Sequence, residues 1–435
     1  MATQTTNYQC PACTGPMRFQ PDTGKTECEY CGSVFELAEI EALYQTEAEE
    51  QPEAVETDWD LSGLSEDWGT DANGMKVYNC PACTAELICD ETTAATSCPY
   101  CGNPTVIPGQ FSGVLKPDYV IPFKLEKDDA VAALKRHYGK RFFLPRSFTS
   151  QNHIEQVQGV YVPFWLFDGK AEGSAGFEAT RSRTFTKGDY RITETMHFQV
   201  SRAGSLEYEK VPVDGSTKMP DGHMDSIEPF DYGDLKPFST AYLPGFLADK
   251  YDVSAEESRP RAEERCENTL VDELRKTVTG YETVSNTRKQ VRLQRGKVRY
   301  ALLPVWMLNT KWQGQDFLFA MNGQTGKLVG DLPVDKKKYW ITFFAIGGIL
   351  ALLSALLIFL TQASDAPAKA ALIAVAASFL VSLLVCSILK SGMKNVHVGS
   401  EAENYISKAL DLTGKQDQFT HMTTTKTKIE QKKKG

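Results

Sequence analysis

Eight of the eleven cysteines in this chain fall on two matching grids. Cys10 and Cys13, in YQCPACT, are followed after fourteen residues by Cys28 and Cys31, in CEYCG. Cys80 and Cys83, in YNCPACT, are followed after fourteen residues by Cys98 and Cys101, in CPYCG. An offset of seventy maps one grid onto the other, including Tyr8 onto Tyr78, Tyr30 onto Tyr100 and Gly32 onto Gly102. Two C-x-x-C pairs so separated are a metal-site signature. Sulfurs three residues apart share one tight knuckle, and a second knuckle across a short β-hairpin completes a tetrahedron of thiolates. The glycines after Cys31 and Cys101 suit the positive φ that ends such a turn.

Four sulfurs with no open position point to a structural ion. Zinc is the preferred metal, at two ions per chain; iron also accepts four thiolates. Paired disulfides are the competing use of these cysteines. The N-terminus carries no signal-peptide pattern, and a reducing cytosol disfavours disulfides. Cys89 lies between the knuckles of the second grid, but its counterpart seventy residues earlier is Phe19. A position that takes either residue is a small core position, and Cys266 and Cys386 also read as structural.

No other constellation suggests catalysis. His137, His153, His197 and His223 are scattered, without H-E-x-x-H or a related spacing. There is no G-x-S-x-G elbow. Gly24-Lys25-Thr26 lacks the earlier glycine of a phosphate loop, where Phe19 stands, and it falls between knuckles where no helix can follow. Asp168 and Asp331 are single carboxylates at expected strand ends, and read as turn residues.

The elements around the cysteines suggest a multi-domain chain: two small β zinc ribbons, a central duplicated α+β block, and a two-helix transmembrane hairpin. Ribbon 1 covers 1–35 and ribbon 2 covers 76–110. The 36–75 segment between them has no Lys or Arg from Glu36 to Asp71, and reads as an acidic linker. Leu43, Tyr44, Trp59, Leu61, Leu64 and Trp68 are costly to leave in water, which raises partner docking as its sharper role. In the soluble block, 115–333, YVIPF and YLPGF each precede a helical pattern, while YVPFWLF and YALLPVWML each lead into sheet-like runs. That order suggests two related units, about 115–215 and 238–333, on antiparallel sheet, with NGQTGK as a turn between strands.

Residues 340–360 and 370–389 are uncharged runs near twenty residues, each able to span about 30 Å of hydrocarbon. Gly347, Ala351 and Ala355, and then Ala374, Ser378 and Ser382, form small-residue stripes that let two helices approach. Lys336, Lys337, Lys338, Lys390 and Lys394 flank the pair, whereas the turn carries Lys369 offset by Asp365. The positive-inside rule then places both termini in the cytoplasm of a cell with a two-span, multi-pass protein in its membrane. The tail, 390–435, is polar and reads as irregular apart from a short helix near 401–412. Its terminal lysines can touch anionic lipid at about 1 kcal/mol per charge.

The paired ribbons, the block with VPFWLF and LLPVWML, and the late hairpin together resemble a family of bacterial zinc-ribbon membrane proteins found in Bacillus and other Gram-positive bacteria. Members are often labelled helicase-like because their ribbons resemble those of a primosomal helicase. The resemblance implies partners among phage-shock-type and flotillin-like membrane proteins, and a role in membrane-stress assemblies. It carries over no catalytic residue.

The functional expectation is a non-enzymatic, membrane-anchored cytoplasmic adaptor that recruits protein partners to the lipid bilayer. The alternative is a nucleic-acid-binding protein tethered at the membrane. Charge argues against it: the chain carries a net −9, ribbon 1 has only Arg18 and Lys25, and ribbon 2 has no basic residue from Cys80 to Cys101.

Overall fold

The computed structural model describes residues 17–20, 25–28, 30, 32–36, 58–65, 68, 75–90, 93, 97–104, 107–109, 115–139, 141–151, 156–361, 367–396 and 402–429. The chain divides into two units, Met1–Thr57 and Asp58–Gly435. In the first, β1 (Met17–Gln20), β2 (Lys25–Cys28) and β3 (Val34–Glu36) form a three-stranded antiparallel sheet.

The second unit is built on one twelve-stranded sheet. It opens with β4 (Met75–Asn79), β5 (Glu86–Asp90), β6 (Ile107–Gly109) and β7 (Tyr119–Val120). Helices α1 (Lys127–Gly139) and α2 (Arg146–Gln151) lead to two long strands, β8 (Gln158–Lys187) and β9 (Tyr190–Asp214). Next come α3 (Asp221–Ile227), β10 (Lys236–Pro237), β11 (Leu247–Asp249) and α4 (Ala255–Lys276). The long β12 (Thr283–Trp312) then turns into β13 (Gln315–Asn322), followed by β14 (Leu328–Val329). Two apolar helices, α5 (Lys336–Thr361) and α6 (Pro367–Ser391), precede a last strand, β15 (Ile406–Lys428).

The sheet is mostly antiparallel, with β8 at its centre between β12 and β9. The order short strand, helix, long strand, hairpin occurs twice, from β7 to β9 and from β11 to β13. The short strands cross over: β7 runs parallel to β12, and β11 runs parallel to β8. Gln313 and Gly314 close the second hairpin with φ of 50° and 76°, the pair of positive angles that a two-residue type I′ turn needs. NGQTGK does turn β13 into β14, with Gly326 at φ 78°.

α4 covers the sheet because its apolar residues recur at helical spacing. Ala262, Cys266, Leu270 and Leu274 are buried in one core with Phe177, Val200, Leu206 and Tyr208. Ser254 and Glu257 form a capping box at its start, and Arg275 and Lys276 sit in its last turn, where the helix dipole favours cations. Beneath the helix, Gly173 faces Gly204 across β8 and β9. A Cβ on Gly173 would lie 2.1 Å from the Gln290 carbonyl oxygen, so that strand contact requires glycine.

Three regions differ from the sequence expectation. Part of the acidic segment is folded: Trp59 and Trp68 are buried, and Leu61 and Leu64 pack against the same core. Trp59 meets the Phe167 ring edge-on, and its indole N–H donates to Glu263 Oε1 at 3.2 Å. Those aromatic side chains are therefore committed within the chain; Leu43 and Tyr44 lie outside the described residues. The second ribbon is not a free module, because β4 and β5 join the large sheet through β11. The tail is not irregular after 405: β15 pairs antiparallel with β9 along its length. Its sequence has no regular apolar alternation, so only the waiting edge of β9 makes it a strand.

Candidate metal centre

The second cysteine grid converges on one point. β4 feeds a knuckle in which Thr84 N–H donates to the Cys80 carbonyl at 2.9 Å, with Thr84 at φ 60°. The second knuckle repeats this, with Gly102 N–H on the Cys98 carbonyl at 2.9 Å and Gly102 at φ 68°. The Sγ atoms of Cys80, Cys83, Cys98 and Cys101 all lie within 4.8 Å of one another. Cys80 to Cys101 is 3.6 Å and Cys83 to Cys98 is 3.5 Å. A tetrahedral ion with metal–sulfur bonds of about 2.3 Å needs sulfur–sulfur edges of about 3.8 Å, so the cluster fits a four-thiolate ion. A disulfide needs about 2.05 Å, and these cysteines are free thiols.

Burial and backbone hydrogen bonds perturb the thiols of the nest in opposite directions. Burial alone would raise the Cys80 thiol, but the N–H groups of Cys83 and Ala82 pull it down to about 7. Burial pushes Cys83 up to about 11, and Cys98 higher still. Adjacent thiolates repel, and a divalent ion among them reverses the balance. The large sheet supports the nest from below: Asn309 on β12 donates to the Tyr100 carbonyl.

In the first grid, Cys28 ends β2, while Cys10, Cys13 and Cys31 lie outside the described residues. Lys25 and Thr26 of Gly-Lys-Thr lie on β2, in strand rather than before a helix. Cys89 is fully buried on β5, and Cys266 and Cys386 are buried too.

The other residues considered from sequence are dispersed. His137 Nε2 meets the Gly330 carbonyl and His223 Nε2 the Leu318 carbonyl, each at 3.1 Å. Burial lowers the pKa of both. His197 stacks on His421 with ring centroids 4.3 Å apart, and His153 lies outside the described residues. The Asp168 carboxylate accepts from Lys210 N–H at 2.8 Å, and that of Asp331 accepts from Asn395 N–H at 3.2 Å. Asp331 follows β14 and holds backbone as a turn residue does, whereas Asp168 lies within β8 rather than at a strand end, and its carboxylate holds the β9 backbone. A cleft of about 520 Å³ opens between Phe123, Phe246 and Trp306, with Gln158 and Lys124 on its wall.

The second notable region is the apolar pair. α5 and α6 are long and apolar enough to cross a membrane. A residue of each small-residue stripe meets a phenylalanine of the other helix: a Cβ on Gly347 would lie 2.5 Å from Phe379, and Ser382 Oγ donates to the Phe343 carbonyl at 2.6 Å. Elsewhere large apolar side chains face outward, such as Leu352, 73% exposed.

Over 348 residues the chain is 36% identical to the uncharacterized protein YdjG of Bacillus subtilis (strain 168), an alignment that covers 80% of this chain and 96% of YdjG. It belongs to the YdjG family. No family model matches the chain, and no solved structure does.

This YdjG relative also contains a buried ionic cluster that sequence reading missed. Arg265 on α4 donates to both Glu228 oxygens, at 3.1 and 2.7 Å, and Tyr405 donates to the same carboxylate at 2.8 Å. Beside it, Arg261 pairs with Asp214 at 2.6 Å and with Asp225. Glu228 and Tyr405 are 177 residues apart, so no local pattern could have joined them.

Proposed function

We propose that this chain is a non-enzymatic scaffold, held in a cell membrane by α5 and α6, whose cysteine grids each hold one structural Zn²⁺. Cys80, Cys83, Cys98 and Cys101 hold one ion and Cys10, Cys13, Cys28 and Cys31 the other. The observation that carries this reading is the closed four-sulfur nest built into the same sheet that leads into the apolar hairpin. An ion enclosed by four thiolates has no position for a substrate; it fixes two knuckles and leaves their outer surface for contacts. The twice-used order of elements supports a duplicated central block. The lysines flanking the hairpin support cytoplasmic termini.

The first unit, Met1–Thr57, is the part we assign to partner recruitment, with membrane-associated proteins of the phage-shock or flotillin type as the expected class. Two approaches test this. Elemental analysis of gently purified chain is expected to give two zinc ions, and Cys98→Ser to give one; absence of metal overturns the assignment. Deletion of residues 1–57 leaves the twelve-stranded sheet whole, and is expected to abolish co-purification of membrane partners while membrane insertion persists. Equal capture by the deleted chain would move recruitment to the second unit.

A further inference from the structure

The place where the apolar helices meet the sheet gathers cations that, among the described residues, have no carboxylate partner. The chain entering α5 and the chain leaving α6 are stitched together there: Leu332 N–H donates to the Met393 carbonyl, and Gly330 N–H to Asn395 Oδ1, both at 2.9 Å. The α1–α2 connection joins them, with Asp335 N–H donating to the Phe143 carbonyl at 2.9 Å and the Phe143 ring 5.4 Å from Tyr339. Arg141, in that connection, is pressed against Gly392, where a Cβ would lie 2.8 Å from its guanidinium. Its Nε is buried and has no hydrogen-bond partner.

A buried guanidinium donor without a partner is uncommon and calls for an acceptor. Among the described residues, no carboxylate pairs with Arg141, Lys338, Lys390 or Lys394. Lys338 instead places its ammonium 4.2 Å over the Phe142 ring and donates to the Phe142 carbonyl. The Lys390 ammonium lies 5.9 Å from the Tyr339 ring. Beside these cations two aromatic rings face outward: Phe142 is 48% exposed and Trp340 is 53% exposed. Cations and exposed aromatic rings at the root of two apolar helices match the level of lipid headgroups.

We propose that Arg141, with Lys338 and Lys390, binds the phosphodiester of an anionic phospholipid, while Phe142 and Trp340 lie against its glycerol and upper acyl carbons. This rests on the membrane reading of α5 and α6. The chemistry selects for it: a planar guanidinium fork matches two phosphate oxygens, and the ammonium groups add charge at the rim. A soluble phosphate would satisfy the cations but leave both exposed rings in water. The site also accounts for a loop that carries Arg-Phe-Phe, Arg141 to Phe143, against the helix roots, where a plain turn would suffice.

The experiment uses the full chain reconstituted in mixed phosphatidylcholine and phosphatidylglycerol vesicles, then extracted in mild detergent, with retained lipids counted by mass spectrometry. Wild type is expected to retain phosphatidylglycerol in excess over its share of the mixture. Arg141→Gln is expected to lower that enrichment about fivefold, the change expected for one charge at a membrane surface. Phe142→Ser, a change at an exposed ring, is expected to lower it with unaltered thermal unfolding. Arg183→Gln, on the exposed end of β8, is expected to leave it unchanged. No enrichment in wild type, or equal enrichment in Arg141→Gln, overturns the proposal. Release of the lipid by millimolar inorganic phosphate would reassign the site to a soluble anion and overturns it too. Alkaline carbonate extraction of wild-type membranes separates the two readings: a chain that washes off refutes the membrane anchor itself, whereas one that stays without enriching lipid refutes only this site.

Discussion

The phrases YQCPACT and YNCPACT begin two cysteine grids whose surroundings differ. The strands of the first, β1 to β3, form a sheet of three by themselves. Those of the second, β4 to β6, are the end of a sheet of twelve, with Leu87 and Cys89 fully buried. A twenty-five-residue ribbon has almost no core, so under the proposed function its fold would depend on an ion. The second grid shares the core of a large unit, so hydrophobic burial there would carry part of what a bound ion would carry in the first. Near-identical local sequence thus leads to two different settings, a sheet of three and the end of a sheet of twelve.

Removing metal should break that equivalence most visibly. Zinc binding to small ribbons contributes about 10–16 kcal/mol. Chelation is therefore expected to abolish amide-exchange protection in β1–β3, while β4 and β5 keep measurable protection from β11 and the sheet. Equal loss in both would show that the second grid gains nothing from its neighbours. Next in size, Trp59→Ala is expected to cost the second unit about 3–5 kcal/mol in denaturant unfolding, the usual range for a buried large aromatic. A loss below about 1 kcal/mol would return residue 59 to the linker.

Paired core truncations sharpen the contrast further. Leu87→Ala should cost about 2–5 kcal/mol, while Phe35→Ala, half-buried on β3, should cost less because so small a sheet has little core to lose. Both are read from the melting of their own unit. The smallest effect is a pH slope. Burial raises the Asp214 carboxyl to about 6, against the partial opposition of Arg261. A carboxyl raised in the folded state stabilises it below the unfolded value, near 4, and that contribution is lost as pH rises towards 6. Asp214→Asn should flatten this part of the second unit's profile. Both cysteine grids, if metal-bound as proposed, would strengthen as pH rises, so the Asp214 contribution is read as the difference between wild type and Asp214→Asn. An Asp214→Asn profile that matches wild type from pH 4 to 6 would refute the assignment.

The parts legible from sequence were those written in local spacing. C-x-x-C recurs within a few residues, uncharged runs near twenty residues are contiguous, and the turn at NGQTGK is a short glycine-containing signal. The unreadable parts depend on distant partners. β15 has Thr and Lys where an amphipathic strand would show alternation, and it becomes a strand by completing the hydrogen bonds of β9. Trp59 stands in an acidic run that reads as a spacer, yet Phe167 and Glu263 supply its burial and its acceptor.

Sequence by itself therefore determined which cysteines form the four-sulfur cluster and the existence of the two apolar helices. Sulfur chemistry at fixed spacing and the length of an uncharged run are local properties of the chain. Only the tertiary structure decided that four of those sulfurs sit on a twelve-stranded sheet, that Glu228, Arg265 and Tyr405 share one buried cluster, and that Arg141 Nε stands at the root of the helices without an acceptor among the described residues. Those depend on which surfaces meet. Burial and the satisfaction of hydrogen bonds are settled between residues far apart in sequence, where no spacing rule reaches.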